Sequence, residues 1–390
     1  MDIERFGKST SGKLVKIGRG EDAYWAFVPN PLPPKLEFDP ELVSALSDAD
    51  RALGELSGLG RTAPNPNLFI GPFIHREAVL SSRIEGTQAD IADLYAYEAG
   101  QLSRSGSKPA PPESDVREVL NYVHALEYGT ERIHDLPISL RLIRELHERL
   151  MEGVRGDRYT PGEFRRSQNW IGPPGCPLMH ATYVPPPVPD MQTALGAFEE
   201  YLHEEGGYPP LVRIALIHQH FEALHPFLDG NGRIGRLLIS LLMVHWNLLP
   251  MPLLYLSAYF EHDRQEYYER LLAVSQEGDW RGWLVYFFQG VAEQSRDVIQ
   301  RAKTLQDLQA TWRAQLQQTR APGLLLSMMD SLFRWPHLSG RGVQADFGVS
   351  HPTAMQALRK LQSLSIVQEV TGGGRSRMYV SDEIMRVLEQ

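Results

Sequence analysis

The chain has 390 residues, 42% apolar and 22% charged, which is more than one domain usually takes and argues against disorder or a fibrous repeat, so two or three domains are expected. With 39 Lys and Arg against 48 Asp and Glu, the formal net charge of -9 argues against a surface given over wholly to nucleic acid or an anionic membrane, and leaves room for a local basic patch. The most apolar stretch, Leu237 to Phe260, is interrupted by His245, Asn247, Pro250 and Pro252, no signal peptide opens the chain, and the lone Cys176 can form no internal disulfide; the expectation is a cytoplasmic protein with no membrane partner.

Residues Met1 to Asp22 are polar, and the AYWAFVPNPLPP that follows has too many prolines for a helix, so it is expected as an extended arm packed on something else. From Asp39 the spacing of Leu42, Leu46, Leu53 and Leu56 predicts a helix stopping at Gly58, and a second long helix is expected from about Gly71 to Tyr97. Gly100 to Ser114 reads as a linker. Helical periodicity then covers Asp115 to Ile133, Ser139 to Met151, Pro189 to Glu205 and Leu211 to Leu224. Between the second and third of these, NWIGPPGCPLMHATYVPPP predicts a β-hairpin projecting from a helical body. More helices follow at Gly232 to Trp246, Asp263 to Gln276 and Trp280 to about Gln318, and Pro322-Gly323 marks a boundary. The last 70 residues carry a helix, two short helices separated by Val349 and Ser350, two strands joined by GGGRS, and a final helix, which is the grammar of a winged helix-turn-helix. The expected fold class is therefore mainly α, with divisions at 1–113, 114–320 and 321–390.

The segment that carries chemistry is His225-Pro226-Phe227-Leu228-Asp229-Gly230-Asn231-Gly232-Arg233-Ile234-Gly235-Arg236. A helix ends before it and a new one begins near Gly232, so free backbone N–H groups and closely approachable glycines make an anion cradle. Arg233 and Arg236, three apart, can both reach phosphate oxygens, while Asp229 among them makes sense if a divalent cation bridges carboxylate and phosphate. His225 at the mouth is a candidate general base. No GxxxxGK[ST] is present here, so this is no Walker loop.

The segment resembles the Fic family signature HxFx(D/E)GNGRxxR at all eight specified positions. The resemblance implies a helical core with a β-hairpin flap and an enzyme that transfers AMP from ATP, with magnesium, to a Ser, Thr or Tyr hydroxyl of a target protein, the chain itself among the candidates. It implies that His225 deprotonates the hydroxyl, Phe227 anchors the loop, Asp229 holds magnesium, Gly230, Asn231 and Gly232 form the anion hole, and Arg233 and Arg236 bind the outer phosphates. Related Doc kinases carry lysine where this chain has Gly232, so the glycine favours adenylyl over γ-phosphoryl transfer. The hairpin, Trp170 to Pro186, sits where the family's flap clamps the target, although a purely structural hairpin fits the sequence equally.

Upstream, Ser81-Ser82-Arg83-Ile84-Glu85-Gly86 resembles the family's inhibitory motif (S/T)xxxE(G/N), with Ser81, Glu85 and Gly86 in register. The resemblance implies that Glu85 pairs with Arg236 and blocks the productive γ-phosphate position, since one guanidinium cannot serve a carboxylate and a phosphate at once. The surrounding PFIHREAVLSSRIEGTQA and GEFRRSQNWIG also resemble family segments.

His218 and His220 fall on different helical faces with no HExxH or cysteine pair beside them, which argues against a zinc site, and His220 is expected in the core or at its rim. Arg334, Arg341, Arg359, Lys360, Arg375 and Arg377 against Asp346 and Glu369 make the last region locally +4, which suits DNA with the helix from His351 in the major groove. Gln344 stands where a small residue usually packs, and winged helices also serve protein contacts, so both partners stay open, as does a homodimer. Beside the adenylyltransferase stand two alternatives: a DNA-bound regulator whose core senses nucleotide, and a hydrolase that removes AMP from modified proteins with Glu85 positioning water.

Overall fold

The computed structural model describes residues 1–20, 23–62, 67–98, 111–154, 160–318, 322–370 and 377–389, with 67–69 as backbone only. Among them the chain is mainly helical with two small antiparallel sheets, and it divides into two compact units, Met1–Ser57 with His124–Ser295 and Gly58–Val123 with Arg296–Gln390.

The first unit is built around α8 (Pro210–Leu224) and α9 (Asn231–His245), whose side chains are almost all buried. Gly235 lets the two come close, since a Cβ there would run into the Glu222 carboxylate and lie 3.2 Å from His218 Cε1. α6 (Leu140–Leu150), capped by the Ser139 hydroxyl, α7 (Val188–His203) and α11 (Arg264–Glu277) complete the core. His218 sits inside it, bonded to the Tyr267 hydroxyl at 2.8 Å and flanked by Phe260 and Trp283, and His220 stacks on Phe198, so both are core residues.

At the N-terminus the polar segment hides a strand that its composition concealed. After the short α1 (Ile3–Gly7), β1 (Gly12–Ile17) pairs antiparallel with β2 (Tyr24–Pro29), Leu14 opposite Phe27. The expected arm is thus one half of a ribbon. Phe27 is fully buried between Phe6, 5.3 Å away, and Tyr183, 6.3 Å away; its N–H donates to Val184, and the Tyr183 hydroxyl donates to the carbonyl of Ala223 in α8. A chain of rings therefore runs from the ribbon to the last turn of α8.

The hairpin expected at Trp170 to Pro186 is corrected to a loop closed by a single bridge, Ile171 opposite Tyr183, with a 3-10 turn at Leu178–His180. Pro173, Pro174, Pro177, Pro185 and Pro186 remove the donors a longer ladder would need. Cys176 lies inside this loop beside Gly172.

Two expected helix limits are corrected. α2 (Pro40–Thr62) runs through Gly58 instead of stopping there. The single helix expected over Gly71 to Tyr97 is two, α3 (Asn67–Ile84) and α4 (Ile91–Glu98). Gly86 adopts φ 100°, which ends α3, and Asp90 and Asp93 exchange bonds with each other's backbone N–H at 2.9 and 3.0 Å, a reciprocal cap that starts α4. The linker expected from Gly100 lies outside the described residues as far as 110, and α5 (Glu113–Arg132) has begun by Glu113.

The far half of α12 (Trp280–Gln318), polar in sequence, is neither wholly solvated nor bare. Trp312 packs against Phe333, the rings tilted with centroids 5.5 Å apart, and Arg313 pairs with Asp330 of α13 (Gly323–Leu332). Beyond it come β3 (His337–Ser339), α14 (Gly340–Phe347), α15 (His351–Ser363), β4 (Gln368–Glu369), β5 (Met378–Val380) and α16 (Asp382–Glu389), the strands ordered β3-β5-β4. Gly348 at φ 64° and Ser350, whose hydroxyl caps Thr353, make the turn between α14 and α15. Gln344 donates to the Gly340 carbonyl and meets His351 at 3.1 Å, so a long amide links these helices where a small side chain was expected. The tip between β4 and β5, with Arg375, lies outside the described residues.

Truncating the ring that joins ribbon to core tests this packing: Phe27→Ala is expected to lower unfolding free energy by about 3–5 kcal/mol, measured by denaturant titration at neutral pH.

Candidate active site

The eight signature residues fall on one loop and the first turns of one helix. α8 ends at Leu224 because His225 takes the left-handed conformation, φ 46° and ψ 58°, its N–H donating back to Phe221. α9 begins after Gly230, also left-handed at φ 77°, which as a glycine brings no capping side chain of its own. Gly230 is required for space as well, since a Cβ would lie 3.0 Å from Met151 Sδ and 3.5 Å from His147 Nε2. Asn231 turns back on the loop, accepting from the Phe227 N–H at 2.8 Å and donating to its carbonyl at 2.9 Å.

Phe227 is fully buried, stacked flat on His147 at 3.7 Å and leaning on Phe164 at 5.1 Å, which fits its expected role as anchor. The Asp229 carboxylate is 43% exposed; Oδ1 accepts from the Gly230 N–H at 2.7 Å and lies 3.5 Å from Arg233, while Oδ2 has no hydrogen bond among the described residues. A part-exposed carboxylate beside the start of α9 suits magnesium, which commonly takes one or two carboxylates and completes its shell with substrate phosphate and water. Gly232 is half-buried, and Arg233 and Arg236 are 3% and 2% exposed, held in α9. Ser81, Glu85 and Gly86 belong to the second unit. There Ser81 is buried in the last turn of α3, and Glu85 and Gly86 form the exposed turn after it, not the helix interior that the sequence suggested.

Three supporting residues were missed as site components. Arg165, 1% exposed, donates from Nε to the His225 carbonyl (3.0 Å), from one terminal nitrogen to Ser167 (3.2 Å) and from the other to Pro186 (2.5 Å), and its backbone N–H reaches the Pro226 carbonyl at 2.8 Å. Burial pulls its pKa down to about 10, still well above neutral, so it remains a cation. Asn169 donates to the carbonyls of His225 (3.1 Å) and Phe227 (2.8 Å). His147 accepts the Gly162 N–H on Nδ1 at 2.9 Å and so donates from Nε2 to the Asp229 carbonyl at 3.1 Å. Arg165 and Asn169 lie in the GEFRRSQNWIG segment, whose family likeness was the only signal; His147 is an unremarkable histidine in the apolar stripe of α6.

The carbonyls of His225, Pro226, Phe227 and Asp229 are thus all turned into the protein, and the arrangement is suited to an anion lying on the N-terminus of α9 beside a histidine and a carboxylate. A model of the Fic/DOC family N-terminal region matches residues 43–131 and a Fic/DOC family model matches residues 137–243, together about half the chain. The chain belongs to the Fic/DOC family. Curated relatives include the protein adenylyltransferase Fic of Drosophila grimshawi, 30% identical over 218 residues (55% of this chain and 40% of that protein), and that of Drosophila mojavensis, 30% identical over 262 residues (66% and 47%). The match spans less than half the length of these relatives. A Fic family protein from Desulfovibrio desulfuricans G20 shares the fold over 90% of this chain and 99% of that one, at TM-score 0.56 and 18% identity. Fic-1 from C. elegans does so over 67% and 74%, at TM-score 0.52 and 23% identity.

Burial keeps three histidines of this Fic core neutral, pulling His147 and His220 down to about 4 and His218 to about 3. Their folded values lie below the unfolded one near 6.5, so the stability they carry is complete above that pH and is lost as pH falls, because the unfolded chain takes up protons the native one refuses. Between pH 6.5 and 4.5 the expected loss is about 1 kcal/mol per histidine per pH unit, read from denaturant midpoints, and His220→Gln should flatten the slope.

Proposed function

We propose that this Fic protein is an adenylyltransferase that moves AMP from ATP to a hydroxyl side chain of a protein. The observation that carries the reading is the loop itself, with His225 at the end of α8, four carbonyls turned away, and the first turn of α9 bearing Arg233 and Arg236. The hydroxyl oxygen attacks the α-phosphorus, the bond to the departing pyrophosphate breaks, and His225 takes the hydroxyl proton. Charge building on the non-bridging oxygens and on pyrophosphate is met by the backbone N–H groups of the cradle and by the two arginines, fixed before substrate arrives. Asp229 would hold magnesium, which when bound neutralises phosphate charge. Gly232, without a side chain, leaves the cradle open, in keeping with adenylyl transfer.

Self-inhibition through Glu85 is part of the proposal, supported by the register of Ser81, Glu85 and Gly86 at the end of α3. Incubated with ATP labelled at the α-phosphorus and a lysate, the chain is expected to mark protein. His225→Ala should cut the rate by roughly 100- to 10,000-fold, the range for a lost general base. Glu85→Gly should raise it by about tenfold or more, equivalent to losing ~1.4 kcal/mol of competing interaction. Absence of label with Glu85→Gly across varied lysates defeats the transferase reading, and Glu85-dependent release of AMP from a modified target would favour the hydrolase instead.

The C-terminal module supports a second proposal, a winged helix that docks on DNA. α15 buries Ala354, Ala357, Leu358 and Leu361 and turns Thr353, Gln356, Arg359 and Lys360 to solvent, one face for the core and one for a partner. Binding to genomic fragments should weaken steeply as salt rises, and Arg359→Glu with Lys360→Glu should abolish the gel shift while leaving AMP transfer intact. A shift unaffected by that pair removes this surface from consideration.

A further inference from the structure

Arg165 and Asn169 spend their donors on the loop rather than on stability. No nitrogen of the Arg165 guanidinium meets a carboxylate among the described residues; Nε goes to His225, and the terminal nitrogens go to Ser167 and Pro186, the two roots of the Trp170 to Pro186 loop. Asn169, 8% exposed, gives its amide nitrogen to two loop carbonyls and leaves its own Oδ1 buried without a partner among the described residues. An unmet buried acceptor costs on the order of 1–3 kcal/mol, an arrangement that selection for stability alone would remove. What the two side chains hold is itself strained. A left-handed histidine costs roughly 1–2 kcal/mol, and its carbonyl is clamped from two sides.

We propose that Arg165 and Asn169 are positioning residues that hold His225 in its left-handed turn and register the flap loop to it, so that the imidazole stands where a target hydroxyl presents its proton. The inference rests on the transferase reading above. The supports of the signature differ along the loop: the His225 carbonyl hangs on Arg165 and Asn169 alone, Phe227 is also held by Asn231 and by its stack on His147, and the Asp229 carbonyl hangs on His147. Weakening Arg165 or Asn169 therefore moves the base first, while Asn231 and His147 still hold the start of α9.

The experiment compares Asn169→Asp and Arg165→Lys with the unsubstituted full chain, each with and without Glu85→Gly. It measures the transfer rate of α-labelled AMP at saturating target, and ATP affinity by direct binding. Asn169→Asp sets a carboxylate against two carbonyls and is expected to lower kcat about 100-fold, the loss a misplacement near 1 Å produces, with ATP affinity within about twofold. Arg165→Lys keeps part of the bonding and should fall between. Where Asn169→Asp does not fold, Asn169→Ser, with its shorter reach, carries the test. An unchanged kcat, or kcat and ATP affinity falling together, overturns the inference. ATP binding by the parent chain without any transfer overturns instead the transferase reading on which it rests.

Discussion

A phosphate cradle made of backbone can exist only where the carbonyls are turned out of it, and the site proposed for this protein depends on that constraint. An N–H group and a C=O group alternate along any chain, so an anion approaching a loop meets both unless the oxygens are committed elsewhere. Here the carbonyls of His225, Pro226, Phe227 and Asp229 are committed, to Arg165, Asn169, Asn231 and His147. The two left-handed residues, His225 and Gly230, make this possible, since each reverses the chain within a single residue and swings the next peptide round. Left-handed glycine is cheap and left-handed histidine is not. The donors therefore concentrate on the histidine's carbonyl.

The donors are themselves held by devices of different kinds. Arg165 is a buried cation satisfied by carbonyl dipoles alone, which suits a guanidinium because its charge is spread over three nitrogens in a fixed plane. His147 works because burial keeps it neutral: with Nδ1 accepting from Gly162 and Nε2 donating to Asp229, a second ring proton would turn an acceptor into a donor facing a donor. Behind them the ribbon of β1 and β2 braces the flap roots, with Phe27 N–H on Val184 and Tyr183 on Ala223, two residues before His225. A segment that reads as an extended arm packed on something else is thus half of a ribbon tied to the last turn of α8.

How much of this was legible follows from how local each signal is. The signature could be read because its residues are contiguous and its chemistry is stated by residue type. Most helices could be read because their apolar spacing is periodic over two turns or more. The split of α3 from α4 was written in the sequence as Gly86 and the Asp90–Asp93 pair, but a continuous apolar pattern across both masked it. The flap's single bridge was hidden in the same way: β-branched and aromatic residues suggested strands, and the prolines that deny them partners count only once the pairing is known. Arg165, Asn169 and His147 were not legible at all from composition or spacing. They act on carbonyls 56 to 82 residues away, and a backbone acceptor leaves no mark in a sequence.

The same locality explains how a chain of net charge -9 could present the polyphosphate site proposed above. Exposed charges more than about 8–10 Å away are largely screened at physiological salt, so the excess of Asp and Glu over the surface contributes little at the cradle. What acts there is fixed and close: the backbone at the start of α9 and the buried guanidinium groups of Arg233 and Arg236. Against them stands the carboxylate of Asp229, half spent on Gly230. Burying the arginines costs desolvation that their partners in the fold offset in part, Asp229 among them at 3.5 Å from Arg233. A surface patch of the same two arginines, solvated and mobile, would carry the charge but not the preorganisation on which transition-state stabilisation depends.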